Sequence, residues 1–100
     1  MSGEVYTLGV WRAKPGREND FVAAWQALGR HFNNLPRPPG KGTLLQSIED
    51  SQQFYSFGPW AALDDIQEMR SHPETPKEIG KLMDLCEDGR PGTYRVVATS

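Results

Sequence analysis

The sequence predicts an α+β fold, because its hydrophobic period changes from that of a strand to that of a helix in both halves. Residues 4–12 (EVYTLGVWR) alternate as a β-strand does, and the apolar residues between Phe21 and Phe32 then recur at helical spacing. The second half repeats this change loosely. One hundred residues are the length of one domain, which we place over residues 1–100.

The first half is predicted to contain a strand, a turn, a helix and a loop. The strand covers residues 4–12, and Pro15 and Gly16 break the chain before a helix over residues 17–32. Residues 35–42 (LPRPPGKG) hold three prolines and two glycines, which exclude regular structure. We therefore expect a loop there, long enough to fold over an opening.

The second half is predicted to begin with a β-hairpin followed by a helical segment. GTLLQSIED (residues 42–50) and QFYSFGPW (residues 53–60) have strand-like composition and are joined by a short turn. Helical spacing returns over residues 63–69. This segment ends at His72, because the residue before a proline is disfavoured in the helical region.

A capping box predicts the start of the last helix. Thr75 is placed at the cap, Pro76 at the first helical position, and Glu78 three residues after the cap. We expect this helix to end near Gly89 and a last strand to cover residues 92–100 (GTYRVVATS). The predicted apolar face of the helix consists of Ile79, Leu82, Met83 and Cys86.

The resulting order is the ferredoxin-like βαββαβ split unit, an antiparallel sheet with both helices on one side. One sheet face then has no helices, although apolar residues alternate onto both faces. Alternation alone does not decide which face is which. We predict a homodimer that buries the open face. Residues that could point that way include Val5, Trp11, Leu45 and Val97.

Composition limits the partners and the compartment. The net charge of -2, from 11 basic and 13 acidic residues, gives no basic stripe, so we expect no nucleic-acid partner. No apolar run approaches the ~20 residues that span a bilayer, and MSGEVY lacks the features of a signal peptide. A single cysteine, Cys86, favours a reducing compartment. We expect a cytoplasmic protein with no membrane association.

The motifs of several common chemistries are missing from the sequence. It has no glycine-rich phosphate cradle, no nucleophile elbow and no Cys or His pair at metal-ligand spacing. We therefore expect no metal and no cofactor.

His72 is the candidate catalytic residue, because an imidazole titrates near neutral pH and can take a proton from a phenol. The alternative is that a histidine before a proline caps a helix end or lies at the surface. His31, at the end of the first helix, is interpreted as a solvated cation.

Aromatic residues are the candidates for substrate contact, because tryptophan and tyrosine combine an apolar body with a polar tip. Trp60 follows Gly58 and Pro59 at a strand end, where pocket mouths form. Ordinary core packing is the alternative for the group, and we favour it for Trp25. Arg95 on the last strand must pair with a carboxylate or project into a pocket if its face is buried. The predicted substrate-binding residues are Trp60, Tyr6, Tyr55, Trp11 and Arg95.

Three segments resemble the antibiotic biosynthesis monooxygenase family of the dimeric α+β barrel superfamily: VYTLGVWRAKPGRENDFVAAW, FYSFGPW and LDDIQEMRSHPE. The resemblance covers nearly the whole chain. It implies a dimer whose two sheets pack into a barrel, with a cavity in each subunit between sheet and helices. Some members are cofactor-independent oxygenases of polycyclic aromatic phenols or quinols, others degrade haem, and many have no known activity.

The resemblance does not carry over a complete catalytic set. Haem-degrading members use an asparagine on the first strand, a tryptophan after the third and a histidine on the next helix. Trp60 matches the tryptophan, whereas Gly9 stands at the asparagine position and His72 lies about two residues late. These departures argue against haem degradation.

Two hypotheses of function follow. In the first, a cofactor-independent oxygenase binds a small apolar or aromatic molecule, His72 deprotonates it, and Trp60 with a tyrosine orients its ring. In the second, the protein binds a small molecule or a partner without catalysis.

Overall fold

The computed structural model describes residues 4–100 and confirms the predicted α+β fold. Its sheet is antiparallel and four-stranded, with strand order β2-β3-β1-β4, and the elements follow the ferredoxin-like order with the second helix divided in two. Within these residues, no helix is both long and apolar enough to cross a membrane. The strands are β1 (Val5–Ala13), β2 (Thr43–Gln46), β3 (Gln53–Trp60) and β4 (Cys86–Arg95), and the helices are α1 (Glu18–Asn33), α2 (Leu63–Ser71) and α3 (Thr75–Asp84).

Strand register decides which sheet face meets the helices. Val5 pairs with Trp60, and Trp11 pairs with Phe54 and Gly89. Because side chains alternate along a strand, these residues share one face, and they are buried or half-buried against the helices. We call this the helix face. Val5 and Trp11 therefore do not point to the uncovered side.

The opposite side of the sheet, which we call the open face, carries apolar residues that are exposed or half-buried. Leu45, Tyr55 and Tyr94 lie on it and are 50%, 45% and 53% exposed. Val97 lies beyond the end of β4 and is exposed. The open face also carries Tyr6, Leu8, Val10 and Phe57.

Two separate clusters of buried side chains hold the helices on the helix face. In the first, the Phe21 ring lies 4.8 Å from that of Phe54 and 5.8 Å from that of Trp11. In the second, the Trp60 ring meets that of Phe32 edge-on at 5.4 Å. The second cluster consists of Val5, Leu35, Trp60, Ile66 and Met69, with Phe32 packed against it.

The last helix and strand differ from the prediction. The helix ends at Asp84 rather than near Gly89, and β4 covers Cys86–Arg95 rather than residues 92–100. Cys86 therefore begins a strand and is not on the helix.

Packing explains why this glycine- and proline-containing segment forms a strand. β4 is at the sheet edge, where Pro91 is tolerated although it has no N–H to donate. Gly89 lies beside Trp11, and a Cβ at position 89 would be 2.6 Å from Met83 Sδ and 2.8 Å from the indole. Glycine is thus required by the close approach of these two side chains, not by a helix end.

The predicted capping box is not formed. Glu74 is the N-cap of α3, no side chain caps the helix, and Thr75 is its first residue. The buried Thr75 hydroxyl instead makes a 2.8 Å hydrogen bond with Nε2 of His31. This bond joins α3 to the end of α1.

Candidate functional site

A cavity of about 780 Å³ lies between the helix face, α1 and the loop before β2. It separates the two buried clusters, and the sizes of the side chains on β3 show why it forms. Phe54 and Trp60 are large and belong to the two clusters, whereas Ser56 and Gly58 between them are small. A large residue, two small residues and another large residue on one strand face leave a space in the middle.

Strand β1 repeats this size pattern. Trp11 lies in one cluster and Val5 in the other, and between them Thr7 and Gly9 form part of the cavity floor. Pairing places Thr7 opposite Gly58 and Gly9 opposite Ser56, so the small residues of the two strands are adjacent.

Hydroxyl groups of the floor fix two of the indole rings. Trp11 Nε1 donates to Ser56 Oγ at 2.9 Å, and Trp60 Nε1 donates to Thr7 Oγ1 at 3.0 Å. An indole N–H only donates, so each hydroxyl accepts here and keeps its own proton for another acceptor. The cavity floor therefore offers hydroxyl donors, while both indole donors are already used.

Trp25 also lines the cavity, so all three tryptophans of the chain border the same space. It is half-buried on α1, and its ring lies 3.5 Å from the position that a Cβ at Gly42 would take. We predicted Trp25 to be a core residue. The apolar stripe of α1 packs against the core and also borders the cavity, so the sequence does not separate the two roles. The predicted loop over an opening forms part of the wall through Pro39, Gly40, Lys41 and Gly42.

The charged residues that line the cavity all have the same sign. They are Arg30 on α1, Lys41 in the loop and Arg70 at the end of α2, and none of the lining residues is Asp or Glu. Over residues 4–100 the lining also lacks His, Cys and Tyr. The site is therefore aromatic and cationic, and sequence reasoning missed all three cations because they come from separate elements.

Only two of the predicted substrate-binding residues meet in this cavity: Trp11 and Trp60 line it. Tyr6 and Tyr55 lie on the open face, because their positions have the opposite parity from the buried residues of β1 and β3. Arg95 pairs with Val5 at the end of β4, is exposed and is not among the lining residues.

His72 lies outside the lining of the large cavity. It is half-buried between α2 and α3, where its Nδ1 accepts a 3.1 Å hydrogen bond from the backbone N–H of Glu74. Its ring is 5.0 Å from that of His31, and it borders a separate cavity of about 130 Å³ near Leu35. This geometry is that of a residue ordering the turn between two helices.

Gly9 and Cys86 limit the reactions that the protein can perform. A Cβ at Gly9 would lie 2.4 Å from Nε1 of Trp11, so an asparagine side chain has no room there. Cys86 is buried, and the loss of solvent raises its pKa to about 11, which keeps the thiol protonated and unreactive at neutral pH.

Comparison with known proteins identifies the fold. No family model matches the chain, and no curated protein matches it. Among solved structures, SnoaB from Streptomyces nogalater, a cofactor-independent oxygenase, superposes with a TM-score of 0.85 at 16% identity, over 97% of this chain and 96% of that one.

Two other structures are similar at comparable coverage. A putative antibiotic biosynthesis monooxygenase from Bordetella bronchiseptica gives a TM-score of 0.80 at 18% identity, over 96% of this chain and 99% of the other. One from Deinococcus radiodurans gives 0.79 at 12% identity, over 96% and 95%. The chain thus has the fold of the family that its sequence resembles, and at these identities the likeness concerns the fold.

Proposed function

We propose that the protein is a monooxygenase of the antibiotic biosynthesis type that binds a small aromatic molecule in the large cavity and oxidises it without a cofactor. The observation that carries the proposal is the convergence of all three tryptophans on one cavity of about 780 Å³. This volume is within the range of roughly 300–1,000 Å³ typical of small-molecule sites. The likeness to the fold of SnoaB supports oxygenase chemistry.

The reaction class is the oxidation of a phenol or quinol by molecular oxygen. For a phenol, one oxygen atom becomes the second carbonyl oxygen of a quinone and the other leaves as water, and the substrate supplies the electrons. The phenolate is the electron-rich form that reacts, and an ordinary phenol has a pKa of about 10. Arg30, Lys41 and Arg70 in the lining favour the anion by Coulombic attraction.

His72 enters the proposal as a residue to be tested for the role of base. Because it does not line the cavity, we expect His72→Ala to keep both binding and oxygen uptake within about threefold of wild type. A loss of uptake of roughly 100-fold with binding retained would assign it the role of general base.

A second candidate function is binding without catalysis. It is favoured by the composition of the lining. Among residues 4–100, no Asp, Glu, His, Cys or Tyr lines the cavity. A site without such groups can hold an aromatic molecule but has no residue that commonly exchanges protons near neutral pH. Gly9, which leaves no room for the asparagine of haem-degrading members, argues against haem degradation.

The proposal includes a homodimer in the cytoplasm. The open face carries Leu45, Tyr55 and Tyr94 with about half of each side chain exposed, and a second copy could cover it. The single buried thiol of Cys86 is consistent with a reducing compartment.

Two glycine positions provide a matched test of the cavity. Gly29 lines the cavity in α1, Gly80 lies in α3 outside the lining, and a Cβ at either meets nothing within 4 Å. A side chain can therefore leave the backbone at either position without a clash at its Cβ, and phenylalanine is a slightly better helix former than glycine. Gly29→Phe adds an aromatic ring at the cavity wall and reduces the space for a ligand, and Gly80→Phe is its control.

The experiment measures quenching of tryptophan fluorescence and oxygen uptake with a panel of phenols and quinols. We expect wild type and Gly80→Phe to bind and consume oxygen, and Gly29→Phe to lose at least about tenfold in affinity. Binding without oxygen uptake would favour the binding protein over the oxygenase. If Gly29→Phe bound as well as wild type, the cavity would not be the site.

A further inference from the structure

We infer that the cavity takes an aromatic molecule that carries a negative charge, such as an aromatic carboxylate or sulfonate, and that Arg70 binds its anionic group. This inference rests on the proposed binding of an aromatic molecule in the large cavity and specifies the class of that molecule.

The distribution of ion pairs is the first argument. Six basic side chains lie within 4.0 Å of a carboxylate, which leaves five of the eleven without such a partner among residues 4–100. Arg30, Lys41 and Arg70 are three of these five, and all three line the cavity. The paired residues are Arg12, Arg17, Arg37, Lys77, Lys81 and Arg90.

The absence of acids from the lining is the second argument. The chain has 13 Asp and Glu residues against 11 Lys and Arg, all within the described residues 4–100, and none of these acids borders the cavity. Three exposed cations that border one apolar cavity, with no carboxylate in its lining, favour a positive potential there. A neutral aromatic ligand would leave that potential unused, whereas an anionic one is attracted by it.

Arg70 is the cation that the protein positions. One of its terminal nitrogens donates a hydrogen bond to Thr93 Oγ1 on the helix face of β4. Thr93 pairs with Thr7, which in turn accepts the hydrogen bond from Trp60. The guanidinium is therefore hydrogen-bonded to the cavity floor at Thr93. The neighbouring Thr7 holds the indole of Trp60.

This arrangement leaves most of the binding capacity of Arg70 available. A guanidinium has five N–H donors in a planar fork, and the structure shows one of them in use. The others can bind a carboxylate or sulfonate through two parallel hydrogen bonds. Thr93 accepts from Arg70, so its own hydroxyl proton is a further donor for the same anion. The aromatic body of the ligand would then lie toward the indoles.

Two fluorescent probes separate the aromatic part of the ligand from its charge. 8-Anilinonaphthalene-1-sulfonate is an anionic aromatic molecule, and N-phenyl-1-naphthylamine is the same skeleton without the sulfonate. We expect the sulfonate to bind at least about tenfold more tightly to the wild-type protein, because a charge-assisted pair adds to the aromatic contact. This difference should shrink as salt is raised, because Arg70 is exposed enough to be screened.

The variants test the role of Arg70 itself. Arg70→Gln should weaken binding of the sulfonate about tenfold and leave the neutral probe within about twofold, and Arg70→Lys should restore part of the loss. Arg17→Gln removes a charge of the same kind, paired with Asp20 on α1 and outside the lining, and should change neither probe.

Three outcomes would contradict the inference, and they differ in what else they overturn. Equal affinities of the two probes, or equal losses in Arg70→Gln and Arg17→Gln, would reject the anionic ligand and leave the aromatic site intact. Failure of both probes to bind would reject the aromatic site and the inference together. Binding of both probes that persists in Gly29→Phe would do the same, because the probes would then lie elsewhere, for example on the open face.

Discussion

The two faces of the sheet both carry apolar residues, but they differ in the sizes of the side chains at their central positions. On the open face, the positions of β1 and β3 carry large residues such as Leu8, Tyr55 and Phe57. On the helix face, the central positions carry Thr7 and Ser56, which are small. The comparison shows that the cavity is made by small residues placed between two cores. Hydrophobicity alone does not distinguish the faces, whereas side-chain volume at the central positions does.

The largest expected difference between the faces is in stability, and neighbouring residues of β3 measure it. Phe54 is 1% exposed on the helix face, and Tyr55 is 45% exposed on the open face. Phe54→Ala should lower the free energy of unfolding by about 3–5 kcal/mol, because it leaves a cavity in the first cluster. Tyr55→Ala should cost less than about 1 kcal/mol in the monomer. Urea denaturation at low protein concentration checks both values, and similar losses would mean that the faces are wrongly assigned.

The next prediction tests whether a second copy covers the open face. Lysine at positions 45 and 55 would place charges in the proposed interface, where an unpaired charge is costly. Leu45→Lys with Tyr55→Lys should therefore raise the dimer dissociation constant on the order of 100-fold.

Leu63→Lys provides the control, because Leu63 is similarly exposed on α2, in the helical layer, and should leave the dimer intact. Light scattering across a dilution series measures the three proteins. A wild-type monomer at micromolar concentration, or a dimer unaffected by the double substitution, would contradict the interface.

The smallest expected effect concerns the hydrogen bond between Thr75 and His31, which joins α3 to the end of α1. Thr75→Val keeps the shape of the side chain and removes the hydroxyl that bonds to His31, so it should cost about 1 kcal/mol. In a protein that already carries His31→Ala, the same change should cost appreciably less, because the partner is gone. Thermal or urea unfolding of the four proteins completes the cycle. Equal costs in both backgrounds would mean that the bond does not join α1 to α3 in solution.

Sequence reasoning predicted the elements whose signals are local. The alternation before Pro15 and the helical spacing after it identify β1 and α1, and His72 before its proline identifies the end of α2. The boundary between α3 and β4 failed, because Gly89 in sequence suggests a helix end. Its actual role depends on Trp11, which is distant in the chain and invisible to local patterns.

The candidate site was predictable in its aromatic part and not in its charged part. Trp11 and Trp60 were proposed because tryptophan combines an apolar body with a polar tip, and both line the cavity. Tyr55 was assigned with them because the sequence does not show which face of the sheet a strand residue lies on. That assignment needs the pairing of the strands. In the sequence, Arg70 and Lys41 look like ordinary surface residues. Only the tertiary structure shows that both border the same cavity.

The close packing of Trp11 between two glycines has a consequence for how the sequence can change. A Cβ at Gly9 or at Gly89 would lie within 3 Å of the indole of Trp11, so neither glycine can be replaced while the tryptophan keeps its place. Conversely, a smaller residue at position 11 would release position 9, whereas position 89 would also need Met83 to move, because a Cβ there would lie 2.6 Å from its Sδ. Positions 9 and 11 therefore change in a fixed order: the tryptophan must be lost before any larger residue is gained at position 9.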